Sequence, residues 1–398
     1  MSIAREKNHA TLKLEALCVT ADSLPKKKYI LVISDCHLSA GRFFEGRANP
    51  HEDFLNDDDM VCFFDHFSTG PYGSHSDGTP VDIELILNGD YFDYLNVPIH
   101  GEFEESVTER MALQKTEAII DGHPKVMEAL KRFASRPGKK LTYLVGNHDA
   151  ELFFPKVRER ITKEWDPNGS YPSEKVEVVA DRDRLTYAGG VEVRHGNQFE
   201  AGNAMDFEEP LVTEHVDEPV LKMPWGSIYV IKIINRMKWE RSHVDKVRPV
   251  KVFALFGLIL DPWFTIRFLA LSGYYFVKTR IVAIMQGRSK WGATLEILRQ
   301  ETQLFRDLEH EARELLDARS DLRTVIFGHT HRPMDKVWPD GKQYINTGTW
   351  TRMINLDWSG LGQHLRRTFA YVEIENHQSR CELREWVGEY QPHQTFQI

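Results

Sequence analysis

Residues 29–37 read Tyr-Ile-Leu-Val-Ile-Ser-Asp-Cys-His, an apolar run that ends in an Asp-x-His motif. A short apolar run rich in β-branched side chains predicts a strand that is buried on both faces. The carboxylate and imidazole after it would lie at the carboxyl end of the strand, where α/β sheets build their binding sites. The stretch therefore predicts an α/β fold with a polar site at one sheet edge.

Four more polar blocks follow short, largely apolar runs in the same way. The runs cover residues 83–87, 141–145, 191–193 and 324–327. The blocks after them are Gly-Asp-Tyr-Phe-Asp at 89–93, Gly-Asn-His-Asp at 146–149, His-Gly-Asn at 195–197 and Gly-His-Thr-His at 328–331. Alternate residues of an extended segment face the same side, so both ends of Asp-x-His or His-x-His can reach one cluster. Asp, Asn and His side chains gathered in this way indicate a metal site.

This ordered set of blocks resembles the calcineurin-like metallophosphoesterase superfamily over roughly residues 29–200 and 322–350. The resemblance implies a four-layer αββα sandwich of two mixed β-sheets, with the metals at one edge. It also implies two divalent cations, which would clamp a phosphate and lower the pKa of a bridging water. Mn²⁺ suits a set with one Asn and two carboxylates, and Fe and Zn²⁺ are the alternatives.

The resemblance also assigns roles to residues of this chain. The implied metal ligands are Asp35, His37 and His331 for one ion, Asn147, His195 and His329 for the other, and Asp90 between them. His148 is implied as the acid that protonates the leaving oxygen, with Asp149 as the carboxylate that orients it. The candidates for supporting the ligands or contacting the substrate are Asp93, Asn197 and Arg332.

The length of 398 residues predicts one large domain with an insertion, or two domains. We predict a polar N-terminal arm at 1–28, a metallophosphoesterase domain at 29–200 and 301–398, and an inserted cap at 201–300. Apolar positions at helical spacing predict amphipathic helices within 104–134 and 292–318. The four cysteines show no Cys-x-x-Cys spacing and the first thirty residues hold no apolar signal region, so we expect a cytoplasmic protein.

The predicted cap combines positive charge with apolar surface. Residues 222–290 hold 13 Lys and Arg against three acids, a net charge of +10 in a chain of −9. The same segment contains the apolar run 252–260, but Asp261, Pro262 and Arg267 interrupt it, which argues against a transmembrane span. Three interpretations stay open: residues 222–290 bind lipid at an anionic membrane surface, they form a helical pair packed on the core, or they contact nucleic acid, and we expect no specific nucleic-acid binding.

Within the superfamily, the chain is similar to the UDP-diacylglucosamine pyrophosphohydrolases in residues 34–38, 89–93, 195–196, 328–333 and 346–350. Those enzymes insert a helical lid between the fourth and fifth blocks, and the lid holds acyl chains. The similarity implies a hydrolase of a lipid-linked phosphodiester or pyrophosphate, peripheral to the inner face of a membrane. The alternatives are a soluble phosphatase or phosphodiesterase for nucleotides or phosphoproteins, and a non-catalytic scaffold with this fold.

Overall fold

The structure is a computed structural model that describes residues 27–248, 250–285, 308–356, 361–388 and 393–395. Its strands, in chain order, are β1 Lys28–Ile33, β2 Phe43–Phe44, β3 Arg47–Ala48, β4 Asp82–Asn88, β5 Lys139–Leu144, β6 Val176–Val179, β7 Leu185–Tyr187, β8 Val191–Val193, β9 Leu211–Val212, β10 Val220–Leu221, β11 Val247–Arg248, β12 Thr324–Phe327, β13 Met334–Val337, β14 Gln343–Asn346, β15 Met353–Asn355, β16 Gly362–His364, β17 Thr368–Glu375, β18 Gln378–Trp386 and β19 His393–Thr395.

Two large sheets carry the fold, and both are mixed. The first runs β19-β18-β17-β1-β4-β5-β6, with β1, β4, β5 and β6 parallel and β17 antiparallel to β1. The second runs β13-β14-β12-β8-β7, with β8, β12 and β14 parallel. All five strands predicted before the polar blocks are therefore present, and their carboxyl ends carry those blocks.

The alternation of side chains along β1 explains how the sheets stack. Ile30 and Val32 face one way and join a core with Val193 of β8 and Ile326 of β12, which lie in the other sheet. Leu31 and Ile33 face the other way, toward the helices. Because successive strand residues point to opposite faces, an unbroken apolar run is what a strand between two covered faces requires.

Helices cover the outer faces. The helices are α1 Asp57–His66, α2 Glu109–Gly122, α3 Pro124–Ser135, α4 Pro155–Trp165, α5 Trp225–Tyr229, α6 Asn235–Lys238, α7 Val250–Leu260, α8 Pro262–Met285 and α9 Glu309–Ala318, with a π-helical turn at Val230–Ile234 between α5 and α6. Helices α1 to α4 pack on the first sheet and α9 packs on the second. The prediction of a four-layer αββα sandwich is confirmed.

Several predicted elements change at their edges. The predicted helical region 104–134 is two helices separated at His123, because Pro124 lacks the N–H that would continue the first one. Helix α9 lies within the region predicted at 292–318, while residues 292–307 lie outside the described residues. The predicted arm 1–28 falls outside them up to residue 26, and Lys28 already begins β1.

The predicted cap contains the elements from α5 to α8. Its core is a cluster of Ile233, Ile234, Met237, Phe264 and Phe268, so α8 packs back on the turn around the π-helical segment. In the part of the chain that the structure describes, no helix is both long and apolar enough to cross a membrane. Residues 286–300 of the predicted cap lie outside the described residues.

His123 links the helix layer to the loop after the Asp-x-His motif. Its Nδ1 lies 2.8 Å from Asp57 Oδ1 and its Nε2 lies 3.1 Å from Glu52 Oε2. Glu52 in turn accepts hydrogen bonds from the backbone N–H groups of Ser39 and Gly41. Burial opposes protonation of His123, but its hydrogen bonds to Asp57 and Glu52 outweigh burial and raise its pKa to about 9.

His123→Ala is expected to lower the free energy of unfolding by about 3 kcal/mol, since it leaves two carboxylates without their buried partner. Because the pKa is raised, the stabilisation by protonated His123 is fully present below the ordinary histidine pKa of about 6.5. It is lost as the pH rises through about 9. Urea unfolding of the variant and the parent across this range should show a difference that shrinks as the pH rises. The exposed His75→Ala is the control, and a pH-independent difference would contradict the ion-pair account.

Candidate metal centre

The loops after β1 and β4 pair with each other beyond the ends of their strands. Asp35 N donates to Gly89 O at 3.2 Å, and His37 N donates to Asp90 O at 2.9 Å. Gly328 N donates to His195 O at 2.8 Å in the second sheet. The backbone itself thus brings residues from distant parts of the sequence to one edge of the sandwich.

Five of the seven predicted ligands have a left-handed backbone. Their φ angles lie between 51° and 69°, at Asp35, His37, Asp90, His329 and His331. Such angles are uncommon for residues other than glycine and cost free energy unless the surroundings impose them. They turn the side chains sharply off the strand ends, and their clustering is typical of a functional site.

The structure brings Asp35, His37 and His331 together. Their candidate ligand atoms all lie within 4.8 Å of one another. His37 Nε2 lies 2.9 Å from His331 Nε2, and His331 Nε2 lies 3.3 Å from Asp35 Oδ1. Two imidazole nitrogens and a carboxylate oxygen at these distances can together bind a divalent cation.

A second group consists of Asp90, His195 and His329, which also lie within 4.8 Å of one another by their ligand atoms. Asp90 belongs to a third such group, with His37 and His148. Asp90 Oδ2 lies 3.2 Å from His195 Nε2. Asp90 therefore sits between the two sides of the site, as the predicted bridging position requires.

Buried polar atoms without hydrogen-bond partners indicate that the side chains of this region fit a dinuclear cation site. Among the described residues, Asn147 Oδ1 is a buried atom without a hydrogen-bond partner, and the buried His195 Nε2 makes no hydrogen bond but faces the Asp90 carboxylate at 3.2 Å. Buried polar atoms are normally paired, so these two atoms call for a partner of another kind. A divalent metal ion supplies that partner for an amide oxygen and an imidazole nitrogen.

The motif blocks need glycine at three positions because predicted ligands of other blocks lie too close for a Cβ. A Cβ built on Gly89 would lie 2.5 Å from His195 Cγ, and Gly89 has φ +76°. A Cβ on Gly328 would lie 2.5 Å from Asp35 Oδ2. A Cβ on Gly146 would lie 2.7 Å from the backbone N of Asp90. Each glycine thus makes room for a predicted ligand of another block.

Asp93, not Asp149, is the carboxylate that contacts His148, which corrects the predicted pairing. Asp93 Oδ1 lies 3.1 Å from His148 Nδ1, and Asp93 Oδ2 lies 3.1 Å from His37 Nδ1. Asp149 is fully buried and accepts hydrogen bonds from Tyr143 Oη at 2.8 Å and from the Gly146 and Tyr91 N–H groups. It holds the Gly-Asn-His-Asp turn in shape.

The charges around His148 favour its protonated form. Burial lowers the pKa of His148, but the negative charges of Asp93 and Asp90 outweigh burial and raise it to about 9. Its ring meets the His37 ring edge to face, with centroids 4.7 Å apart. A protonated imidazole at this position can donate a proton to a leaving oxygen, as predicted for the acid.

The other two predicted supporting residues differ in burial. Asn197 is buried, and its Nδ2 donates to Asn203 O at 2.9 Å. Arg332 is exposed, directly after the last predicted ligand, and its backbone N–H donates to Thr330 Oγ1 at 3.4 Å. Contacts of these two residues with a substrate stay predictions.

Sequence reasoning missed several residues of the site. Glu200 Oε2 lies 2.9 Å from His329 Nε2. Ser34 Oγ donates to Asp35 Oδ2, and Thr349 Oγ1 donates to Asp35 O at 2.6 Å. Asn346 Nδ2 donates to Gly328 O at 2.7 Å, so the last residue of β14 supports the Gly-His-Thr-His turn. Ser34 and Thr349 lie in stretches that carry the family resemblance but had no predicted role, whereas no pattern in the sequence marks Glu200.

The cap is attached beside the site. Ser227 Oγ of α5 donates to Asn147 O at 3.3 Å, and Asn235 Nδ2 of α6 donates to Leu95 O at 2.7 Å. Lys238 is buried and pairs with Asp53 at 2.8 Å and with Asp245 at 2.9 Å. The first part of the cap is therefore held against the loops that carry the predicted ligands.

Comparison with known proteins gives one match by sequence. The family model described as calcineurin-like phosphoesterase matches residues 28–333. No curated protein is similar enough in sequence to count as a match. The chain is therefore placed by the family model, which spans every predicted ligand.

Three solved structures that are similar to the chain have low sequence identity to it. A dimetal phosphatase from Danio rerio is 10% identical, with 90% of this chain and 98% of that one covered and a TM-score of 0.32. Vps29 complexed with Zn²⁺ from Entamoeba histolytica is 12% identical, with coverage of 93% and 98% and a TM-score of 0.28. Phosphopantetheinyl hydrolase from Mycobacterium tuberculosis is 11% identical, with coverage of 82% and 91% and a TM-score of 0.27.

Proposed function

The chain belongs to the calcineurin-like phosphoesterase family and is a metal-dependent phosphoester hydrolase, and from this premise we propose that it cleaves a phosphodiester or pyrophosphate bond of a lipid-linked substrate at a membrane surface. UDP-diacylglucosamine is the substrate that we propose to test first. The observation that carries the proposal is an exposed apolar helical hairpin attached beside the metal centre.

In this proposal, two groups of ligands would hold two different metal ions. Asp35, His37 and His331 would hold one ion, Asn147, His195 and His329 the other, and Asp90 both. When bound, two divalent ions, for which Mn²⁺ is proposed, would supply positive charge for the phosphate and an activated water. His148 would donate a proton to the leaving oxygen through Nε2, because Asp93 occupies Nδ1.

The hairpin of α7 and α8 presents a large apolar surface. Its inner face packs on the cap through Phe264 and Phe268. Its outer face exposes large side chains, with Leu260 80% and Trp263 78% accessible at the turn between the helices. The exposed large apolar residues of the hairpin are Leu255, Phe256, Leu258, Ile259, Leu260, Trp263, Ile266, Leu269, Tyr274 and Val277.

Large apolar side chains exposed along one pair of helices are typical of a protein or membrane contact. The described part of the chain covers only the inner face of the hairpin, which disfavours the interpretation that both helices serve only to pack on the core. A tryptophan and leucines beside a helix turn suit the boundary between headgroups and acyl chains. The hairpin would bring the acyl part of a substrate next to the metal centre.

The net charge of +10 on residues 222–290 overstates the positive charge that can bind a membrane. Several of its basic side chains pair with acids that lie outside residues 222–290, namely Lys222 with Asp206, Lys232 with Glu105, and Lys238 and Lys246 with Asp53. A basic side chain that is paired with an acid of the same chain attracts anionic lipid or nucleic acid only weakly. We therefore propose that apolar insertion, rather than charge, contributes most of the membrane affinity.

The double variant Leu260→Glu with Trp263→Glu is expected to weaken binding to phosphatidylcholine vesicles by about 100-fold or more, since burying each side chain contributes about 1.5–3 kcal/mol. Release of UMP from UDP-diacylglucosamine in mixed micelles should fall in parallel, while hydrolysis of bis(p-nitrophenyl) phosphate stays unchanged. Co-sedimentation and the two assays measure these effects.

Val337→Glu is the matched control, because Val337 is an exposed apolar residue of β13, outside the cap. If the parent protein does not sediment with vesicles, the membrane proposal is wrong. If the parent protein cleaves the chromogenic diester but not the lipid, the protein is a hydrolase for which UDP-diacylglucosamine is not a substrate. The soluble alternative, a phosphatase or phosphodiesterase for nucleotides or phosphoproteins, would then be tested.

A further inference from the structure

Glu200 lies at the site although it belongs to none of the motif blocks. It follows the turn Asn197–Phe199, and its Oε2 lies 2.9 Å from His329 Nε2. The Glu200 side chain is largely enclosed at this contact, with 21% of its surface accessible. An ionised carboxylate accepts the Nε2–H of an imidazole.

This contact selects one form of the His329 ring. When Nε2 carries the hydrogen and donates it to Glu200, the lone pair of the neutral ring lies on Nδ1. Histidines that bind metals commonly donate their other N–H to a carboxylate, which fixes the ring orientation and raises its basicity. Nδ1 is then the nitrogen of His329 that is left to bind a metal ion in the group with Asp90 and His195.

Glu200 is held in turn by the loop that follows it. Asn203 Nδ2 donates to Glu200 Oε2 at 2.8 Å, and Asn203 N donates to Glu200 O at 2.9 Å. Gly226 N, in the first turn of α5, donates to Gly202 O at 2.7 Å. A Cβ on Gly226 would meet Asn203 Oδ1, so this helix packs directly on the loop.

The first cap helix therefore reaches two predicted ligands of the same ion. It touches Asn147 through Ser227, and it reaches His329 through the loop 200–203. We infer that Glu200 is a positioning residue for His329 and that the loop 200–203 couples the cap to the metal position formed by Asn147, His195 and His329. This inference rests on the two-metal site of the proposed function.

The experiment is titration of the metal-free protein with Mn²⁺, followed by calorimetry and by electron paramagnetic resonance of the coupled ion pair. Glu200→Ala is expected to raise the Kd of one of the two Mn²⁺ ions by about 10–100-fold and to leave the other unchanged. Glu200→Gln should restore part of the affinity, because its amide oxygen still accepts the Nε2–H. Asn203→Ala should weaken the same ion to a smaller extent.

The unchanged ion serves as an internal check that each variant is folded. Glu209→Gln, in an exposed part of the same segment, is the matched control. If Glu200→Ala binds both ions as the parent does, the inference is wrong. If both ions weaken equally, Glu200 has only a general structural role and the inference is also wrong. If the parent protein itself binds fewer than two ions, it is the proposed dinuclear site that fails.

Discussion

Asp90→Asn is expected to lower kcat/KM for bis(p-nitrophenyl) phosphate by about 10³-fold or more. Among the residues that the structure describes, Asp90 is shared between a ligand group on the His37 side and one on the His195 side. An amide in its place carries no charge and offers one oxygen instead of two, so it cannot hold two cations together. Metal ions contribute several kcal/mol to such reactions, and each 1.36 kcal/mol is tenfold in rate.

The loss of rate should coincide with a loss of metal. Metal analysis after dialysis against Mn²⁺ should give two ions per chain for the parent protein and one or none for Asp90→Asn. Asp121→Asn, at an exposed position of α2, is the control and should match the parent in both measurements. Two bound ions together with unimpaired turnover in Asp90→Asn would show that Asp90 does not bridge the site.

Gly146→Ala is expected to lower kcat/KM by about 100-fold or more, although it removes no polar group. A Cβ at this position would lie 2.7 Å from the backbone N of Asp90 and 3.0 Å from Gly89 Cα, and it would also meet Asp90 Oδ1. Backbone atoms cannot turn away as a flexible side chain can, so the loops that carry Asp90 and Asn147 must separate. Displacements of about 1 Å are enough for a 100-fold loss.

The same clash is expected to lower the free energy of unfolding by about 1–3 kcal/mol, as other overpacked sites do. Gly273→Ala is the matched control: it lies in α8, and a Cβ there would meet nothing within 4 Å. That variant should be as active as the parent and equally or slightly more stable. A Gly146→Ala protein with normal turnover and normal thermal unfolding would rule out close packing as the reason for this glycine.

Much of the fold could be predicted because it depends on local patterns. The apolar run before Asp35 alternates between two covered faces, and that alternation is written in the sequence. Helix α2 ends before His123 and α3 begins at Pro124, so a residue type alone marks the boundary. The pairing order of the strands, in contrast, is not written in any run of residues and is known only from the structure.

Partnerships between side chains were harder to predict. Asp149 adjoins His148 in the chain, yet its carboxylate turns away to Tyr143 while Asp93, from another loop, contacts His148. Glu200 is an ordinary polar loop residue until β8 and β12 place it against His329. Adjacency in sequence does not decide contact, because a backbone turn can direct neighbouring side chains to opposite sides.

The sequence alone determined which residue types meet at the strand ends: five blocks in one order, each after a buried strand, gather Asp, Asn and His side chains, and their resemblance to the metallophosphoesterase superfamily implies a dinuclear metal site in an αββα sandwich. The tertiary structure alone decided which side chains support them, how the glycines make room for them, and that the cap is attached beside Asn147. The reason is physical. Periodicity and motif spacing act over a few residues along the chain, whereas a hydrogen bond such as Glu200–His329, 129 residues apart, exists only when long-range pairing of the sheet brings its two ends together.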